Sequence, residues 1–200
     1  MKKENTKEKI LTEAVKLFAA KGFEAVTVEM IAAAVGIKAP SLYKHYQSKQ
    51  EIFNRILNKM EQLDAAGAAD CSLPAESKEK TPEAYKSISV NMLVSYCEKQ
   101  FRYWTENEFA SAFRRMLTVE QYQNEKMNAL YHQYLGYGPL KYVTDLLQST
   151  EKALALYGPM HLLYDIYDQA TEKTAITSML ADHLKNWLAN ETNEKNQNKQ

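Results

Sequence analysis

Apolar residues recur at helical spacing along most of the chain. Ile10, Ala14, Leu17 and Phe18 repeat at three- and four-residue intervals between Thr6 and Lys21, and Gly22 follows as a C-terminal stop. Thr27 stands where it can cap a second, short helix through Met30, Ile31, Ala34 and Val35, closed by Gly36, with Glu29 at the positive end of its dipole. Pro40 suits the first turn of a third short helix through Leu42 and Tyr43 to about His45. Ser48 and Glu51 make a capping box opening a long fourth helix with Ile52, Phe53, Ile56 and Leu57.

From Asp64 to Pro82 the chain turns small and charged, with Gly67, Pro74, Lys78 and Lys80, and reads as a connecting loop before Thr81-Pro82 restarts the helices. Capping signals recur at Thr105 with Glu108 and at Thr118 with Gln121. Gly136, Gly138 and Pro139 break a helical run, and Gly158-Pro159 is expected to kink or restart the next one. The last helix carries one stripe of Ile176, Met179, Leu180, His183, Leu184, Trp187 and Leu188. The helix before it is apolar on two sides, with Leu156, Met160, Leu163 and Tyr167 on one and Leu154, Tyr157, His161 and Tyr164 on the other. Such a helix has two neighbours to satisfy. Residues after about Asn190 are polar and expected to fray. No segment alternates with period two, so the pattern predicts an all-α fold.

Composition adds little to this: 45% of the 200 residues are hydrophobic and 25% are charged, enough for a core and a wetted surface. No run approaches the roughly 18 apolar residues of a membrane span, and the polar N-terminus lacks a signal-peptide core, so a cytoplasmic location is expected. Two cysteines, Cys71 and Cys97, make no disulfide framework or metal knuckle and read as free thiols, with a thiol-sensing role as the alternative. The charge pattern is more telling. Residues 1–60 hold eleven Lys or Arg against six acids, +5 in all, so the remainder of this neutral chain carries −5. A basic head on an acidic body fits a phosphate-binding module.

The second and third helices, joined by a turn at Gly36, have the spacing of a helix-turn-helix, whose second helix enters the major groove of DNA. Short helix pairs around a glycine are common in helical proteins, but here the third helix is crowded with donors. Lys38, Ser41, Tyr43, Lys44, His45 and Lys49 suit phosphates, Leu42 is the inward anchor, and Ala39 and Pro40 are small enough to let the backbone approach base edges.

The stretch from Phe18 to Phe53 resembles the DNA-binding signature of TetR-type regulators. The likeness rests on Gly-Phe after the first helix, Thr27 opening the second, Ala-x-x-Val-Gly-Ile, and Leu-Tyr-Lys-His-Tyr followed by Ser48-Lys49. The resemblance implies that Thr27, Ser41, His45 and Lys49 meet phosphates and that Lys38, Ala39, Pro40 and Tyr43 face bases, with Lys44 able to serve either role. Packing is the plainer reading for Tyr46. Two positions depart from the family pattern: Lys38 replaces a frequent Ser cap, which weakens the helix start, and Glu29 stands where some members read a base.

One recognition helix reads only a few base pairs, so useful specificity asks for two copies on a two-fold site with half-sites about 34 Å or more apart. The resemblance implies that the last two helices form an intersubunit four-helix bundle, with Leu156, Met160, Leu163, Met179, Leu180, His183, Leu184 and Trp187 as its interface. It also implies an effector pocket in the helical body, for which Phe101, Trp104, Phe113, Met116, Tyr131 and Tyr134 are the candidate walls, with ordinary core packing as the alternative for each. The expected organisation is a three-helix helix-turn-helix DNA-binding domain (1–47), a helical ligand-binding and dimerisation domain (48–190, with 48–63 a connecting helix) and a flexible polar tail (191–200).

The expected function is that of a ligand-responsive transcriptional repressor. It would grip a palindromic operator in double-stranded DNA as a homodimer and be released by a small-molecule effector in the C-terminal pocket, with no cofactor, metal or membrane. An enzyme reading lacks its motifs: no GxSxG, HExxH or GxxxxGK[ST] occurs, and His132, His161 and His183 are scattered. A helical adaptor whose basic head binds an acidic protein is the remaining alternative. Salt-dependent, site-selective duplex binding separates the two.

Overall fold

The helix caps expected in the first third of the chain are occupied in the computed structural model, which describes residues 6–70, 89–123 and 125–197. Helix α1 (Thr6–Lys21) buries Ile10, Leu11, Ala14, Val15 and Phe18 and stops at Gly22, whose φ of +79° suits a residue without a Cβ. Helix α2 (Val28–Val35) starts after Thr27, whose hydroxyl accepts the Met30 N–H. It ends at Gly36 in a Schellman turn, with Gly36 N–H on the Ala33 carbonyl at 3.1 Å and Ile37 N–H on that of Ala32 at 2.9 Å. Helix α3 (Ala39–Tyr43) has Pro40 in its first turn and no side-chain cap at Lys38, as the missing Ser implies.

Helix α4 (Lys49–Asp70) opens with Ser48 Oγ accepting the Glu51 N–H at 3.1 Å, while the Glu51 carboxylate reaches back to the Gln47 N–H at 2.7 Å. Residues 64–70, read from composition as loop, continue this helix. The rest of that expected loop, with Cys71, Thr81 and Pro82, lies outside the described residues.

Among the described residues six more helices follow: α5 (Val90–Glu106), α6 (Glu108–Glu120), α7 (Glu125–Tyr134), α8 (Tyr137–Leu147), α9 (Thr150–Gln169) and α10 (Lys173–Gln197). Two expected caps are corrected. Asn107, not Thr105, starts α6 by accepting from Phe109 and Ala110 N–H, while Thr105 is buried in α5 with its hydroxyl donating to the Phe101 carbonyl at 2.7 Å. Thr118 lies inside α6 and donates to the Arg114 carbonyl, so the helix continues to Glu120. Both threonines bond back to the preceding turn, which a hydroxyl does when its own backbone is already helical.

Pro159 does not restart α9. The carbonyl it leaves without a helical donor belongs to Ala155, which is exposed and open to water. Helix α10 runs on through Gln197 where a polar tail was expected from 191, and Glu191 is buried in an ion pair with Lys152 at 2.8 Å.

The described helices divide into two compact units, Met1–Gly67 with Asn107–Leu135, and Ala68–Glu106 with Gly136–Gln200. In the first, α1 lies along α6 and supports α2, which in turn supports α3. Its centre is an aromatic trio, with Phe23 at 5.2 Å from both Phe18 and Phe53 between ring centroids. Lys16 ties α1 to the start of α6 through Glu108, whose carboxylate holds the lysine ammonium above its ordinary pKa. In the second unit, α9 packs against α5, α8 and α10. Leu93, Cys97, Phe101, Val143, Leu156, Met160, Leu180 and Leu184 fill its core, and the Phe101 ring stacks on Tyr164 at 5.2 Å.

Burial pushes the Cys97 thiol up to about 12, which leaves almost no thiolate at neutral pH. Peptide mapping after treatment of the native protein with a thiol-specific alkylating reagent at pH 7.5 should find Cys97 unmodified. The same residue should react fully in denaturant; rapid native labelling would show that the core around α5 opens.

Candidate nucleic-acid interface

Helix α3 is a platform held from beneath by one side chain. Leu42 is wholly buried, whereas Tyr43 is 49% exposed and Lys38, Pro40 and Lys44 are exposed around it. Ala39, Ser41 and His45 are half-buried at the edges of the same short element. Helix α3 therefore presents its donors outward or at its edges and buries only Leu42. Below it, Tyr46 is 5% exposed and its hydroxyl donates to the Lys7 carbonyl at 3.4 Å; burial raises its pKa, which keeps it a neutral donor. Tyr46 is a packing residue, as its position suggested.

Two expected phosphate contacts already have intramolecular work. Thr27 uses an oxygen lone pair to cap α2, which leaves its O–H hydrogen to point toward an acceptor at the helix start. Lys49 donates to the Phe23 carbonyl at 2.7 Å and the Glu24 carbonyl at 3.2 Å, with its ammonium 4.3 Å from the Phe23 ring centre. An ammonium has three donors, so one remains beyond these two carbonyls. Glu29 is exposed in the first turn of α2.

The residues expected to line an effector pocket fall in different units. Phe101 and Trp104 are buried in the second. Phe113, Met116 and Tyr134 are buried in the first, with Tyr131 half-buried beside them and Phe113 edge-on to Tyr134 at 5.3 Å. A cavity of about 380 Å³ in the second unit has other walls, among them Leu93, Leu146, Leu147, Ser149, Lys152 and Glu191. Nothing in the sequence pattern marked it, because its charged pair joins residues 39 positions apart.

The residues expected at a dimer interface are mostly buried within their own chain. Leu156, Met160, Leu163, Leu180, Leu184 and Trp187 are all buried within their own chain, and His183 is half-buried with a ring nitrogen 3.3 Å from the Leu156 carbonyl. Of the eight, only Met179 is exposed, at 53%; the other large apolar residues exposed among the described ones of this helix pair are Leu154 and Leu162, with the exposed Ala155 and Gly158 between them in sequence. The stripe that the periodicity identified is thus the face turned to the molecule's own core.

Residues 10–56 match the sequence profile of the bacterial regulatory proteins of the tetR family. The match covers under a quarter of the chain. It is 43% identical over 49 residues to IcaR, a negative transcriptional regulator of the biofilm operon icaADBC, from Staphylococcus epidermidis, and equally so to IcaR of Staphylococcus aureus. Each alignment spans 24% of this chain and 26% of the relative's length.

The fold likeness is wider. The ketosteroid transcriptional regulator KstR2 of Mycobacterium tuberculosis superposes with a TM-score of 0.63 at 16% identity, covering 94% of this chain and 95% of that one. The fatty acid degradation regulator FadR of Bacillus halodurans gives 0.60 at 14% identity, covering 94% and 97%. Both share the all-helical fold with this chain. Among its described residues, no helix is long and apolar enough to cross a membrane.

The turn at Gly36 generates a test of how the head is held. A Cβ there would meet nothing within 4 Å, so replacement costs only the left-handed backbone, φ +82°. Thermal unfolding of Gly36→Ala should show a loss of about 1–2 kcal/mol, with Gly36→Asn costing less. A neutral alanine would mean that the turn relaxes.

Proposed function

We propose that this chain is a ligand-responsive transcriptional repressor that binds a palindromic site in double-stranded DNA as a homodimer. The observation that carries the reading is the outward face of α3: Lys38, Pro40, Tyr43 and Lys44 exposed over a single buried anchor, Leu42. A helix whose task was packing would bury more than one residue in five. In this reading Thr27, Ser41, His45 and Lys49 meet phosphates, while Lys38, Ala39, Pro40 and Tyr43 face base edges. Lys44 sits between the two sets. The +5 charge of the first 60 residues draws the head toward the duplex, and repression agrees with the negative regulation named for the two IcaR relatives.

Pairing of two chains is proposed on the outer face of α9 and α10, where Leu154, Leu162 and Met179 stand exposed around the small residues Ala155 and Gly158. A small-molecule effector is proposed to bind the helical body and release the DNA. One structurally similar protein, SmeT, was solved as a complex with triclosan, at 18% identity and a TM-score of 0.60. A cytoplasmic location belongs to the same reading.

Selection from a random duplex pool should enrich a two-fold symmetric sequence bound with steep salt dependence; weak affinity without an enriched site would overturn the proposal. Tyr43→Ala should weaken binding to that site by about 1–3 kcal/mol with thermal stability unchanged, and Lys44→Ala should reduce the salt slope by about one. Leu162→Glu should yield folded monomers that bind the full site poorly, measured by sedimentation and fluorescence anisotropy. A charge at Trp187 would be a poor probe, since it would break the fold first.

A further inference from the structure

Glu120 is a buried carboxylate at the C-terminal end of α6, only 5% exposed. That location is doubly unfavourable for a negative charge, which loses water and faces the negative end of a helix dipole. Its Oε1 accepts the backbone N–H of Phe23 at 2.7 Å, across 97 residues of sequence. Phe23 belongs to the loop between α1 and α2. On the other side of this residue, Lys49 of α4 donates to the Phe23 carbonyl and to that of Glu24, with its ammonium over the Phe23 ring. One peptide segment is thus gripped at its N–H by an anion and at its carbonyls by a cation.

Gly22 completes the arrangement. A Cβ at this position would stand 3.1 Å from Glu120 Oε1, so the carboxylate approaches the backbone where a side chain would crowd it. Val26, 1% exposed, and the cap residue Thr27 follow directly, so the position of the gripped loop sets where α2 begins, and α3 rests on α2.

We propose that Glu120 is a positioning residue for DNA binding, fixing the loop between α1 and α2 to the end of α6 and thereby setting where the helix-turn-helix stands. The inference rests on the DNA-binding reading above and deepens it, because it assigns part of the affinity to a residue outside the recognition helix.

The test combines amide hydrogen exchange with duplex affinity. Glu120→Ala should speed exchange at the Phe23 amide about tenfold while the Ile31 and Leu42 amides keep their protection, and should weaken binding to the selected duplex by a similar factor. Glu120→Gln retains an oxygen acceptor and should stay within about threefold of the wild type in both measurements. If the alanine variant does not fold, Glu120→Asp, one methylene too short to reach, carries the same expectation as alanine.

Unchanged Phe23 exchange would overturn the contact. Faster exchange with undiminished affinity would overturn the positioning role and leave a purely structural carboxylate. Failure of the wild-type protein to bind any duplex would overturn the functional reading itself, and Phe23 exchange would still report on the contact.

Discussion

Five residues are too few for a helix that holds itself together in water, and α3 has no side-chain cap at its start. It persists because Leu42 is buried beneath it and because the Gly36 turn delivers it onto α2. The packing of that single leucine is the constraint on which the outward display of Lys38, Tyr43 and Lys44 depends. Pro40 and Tyr43 stand exposed on the element because one residue does the anchoring.

The same economy runs through the rest of the first unit. Phe18, Phe23 and Phe53 come from α1, the following loop and α4, and their mutual contact fixes three segments at once. Polar groups then set the register that non-directional apolar contact leaves loose. Lys16 joins Glu108 at one end of α6, and Glu120 takes the Phe23 N–H at the other. An apolar cluster tolerates sliding, whereas a buried carboxylate that loses its donor is left with its full desolvation cost.

The second unit shows how an apolar stripe divides between core and surface. Helix α9 sends Leu156, Met160 and Leu163 into its own unit and leaves Leu154 and Leu162 outside. Both sets are leucine-rich and both recur at helical spacing. The difference lies in which neighbours α5, α8 and α10 reach, a matter of three-dimensional placement.

What the sequence by itself determined was local. Thr27, Gly36, Pro40 and Ser48 act on backbone within a turn of themselves, so the first helix boundaries, the all-helical class and the family signature from Phe18 to Phe53 were legible from residue order. Tertiary structure decided the pairings over distance: Glu120 with Phe23, Lys152 with Glu191, and the burial of Trp187 within its own chain. It also overruled two threonine caps, since a hydroxyl caps a helix where its own residue's backbone is still extended, and Thr105 and Thr118 lie where the helix is already under way. Caps and periodicity operate over four residues, while burial depends on segments that the chain brings back from dozens of residues away.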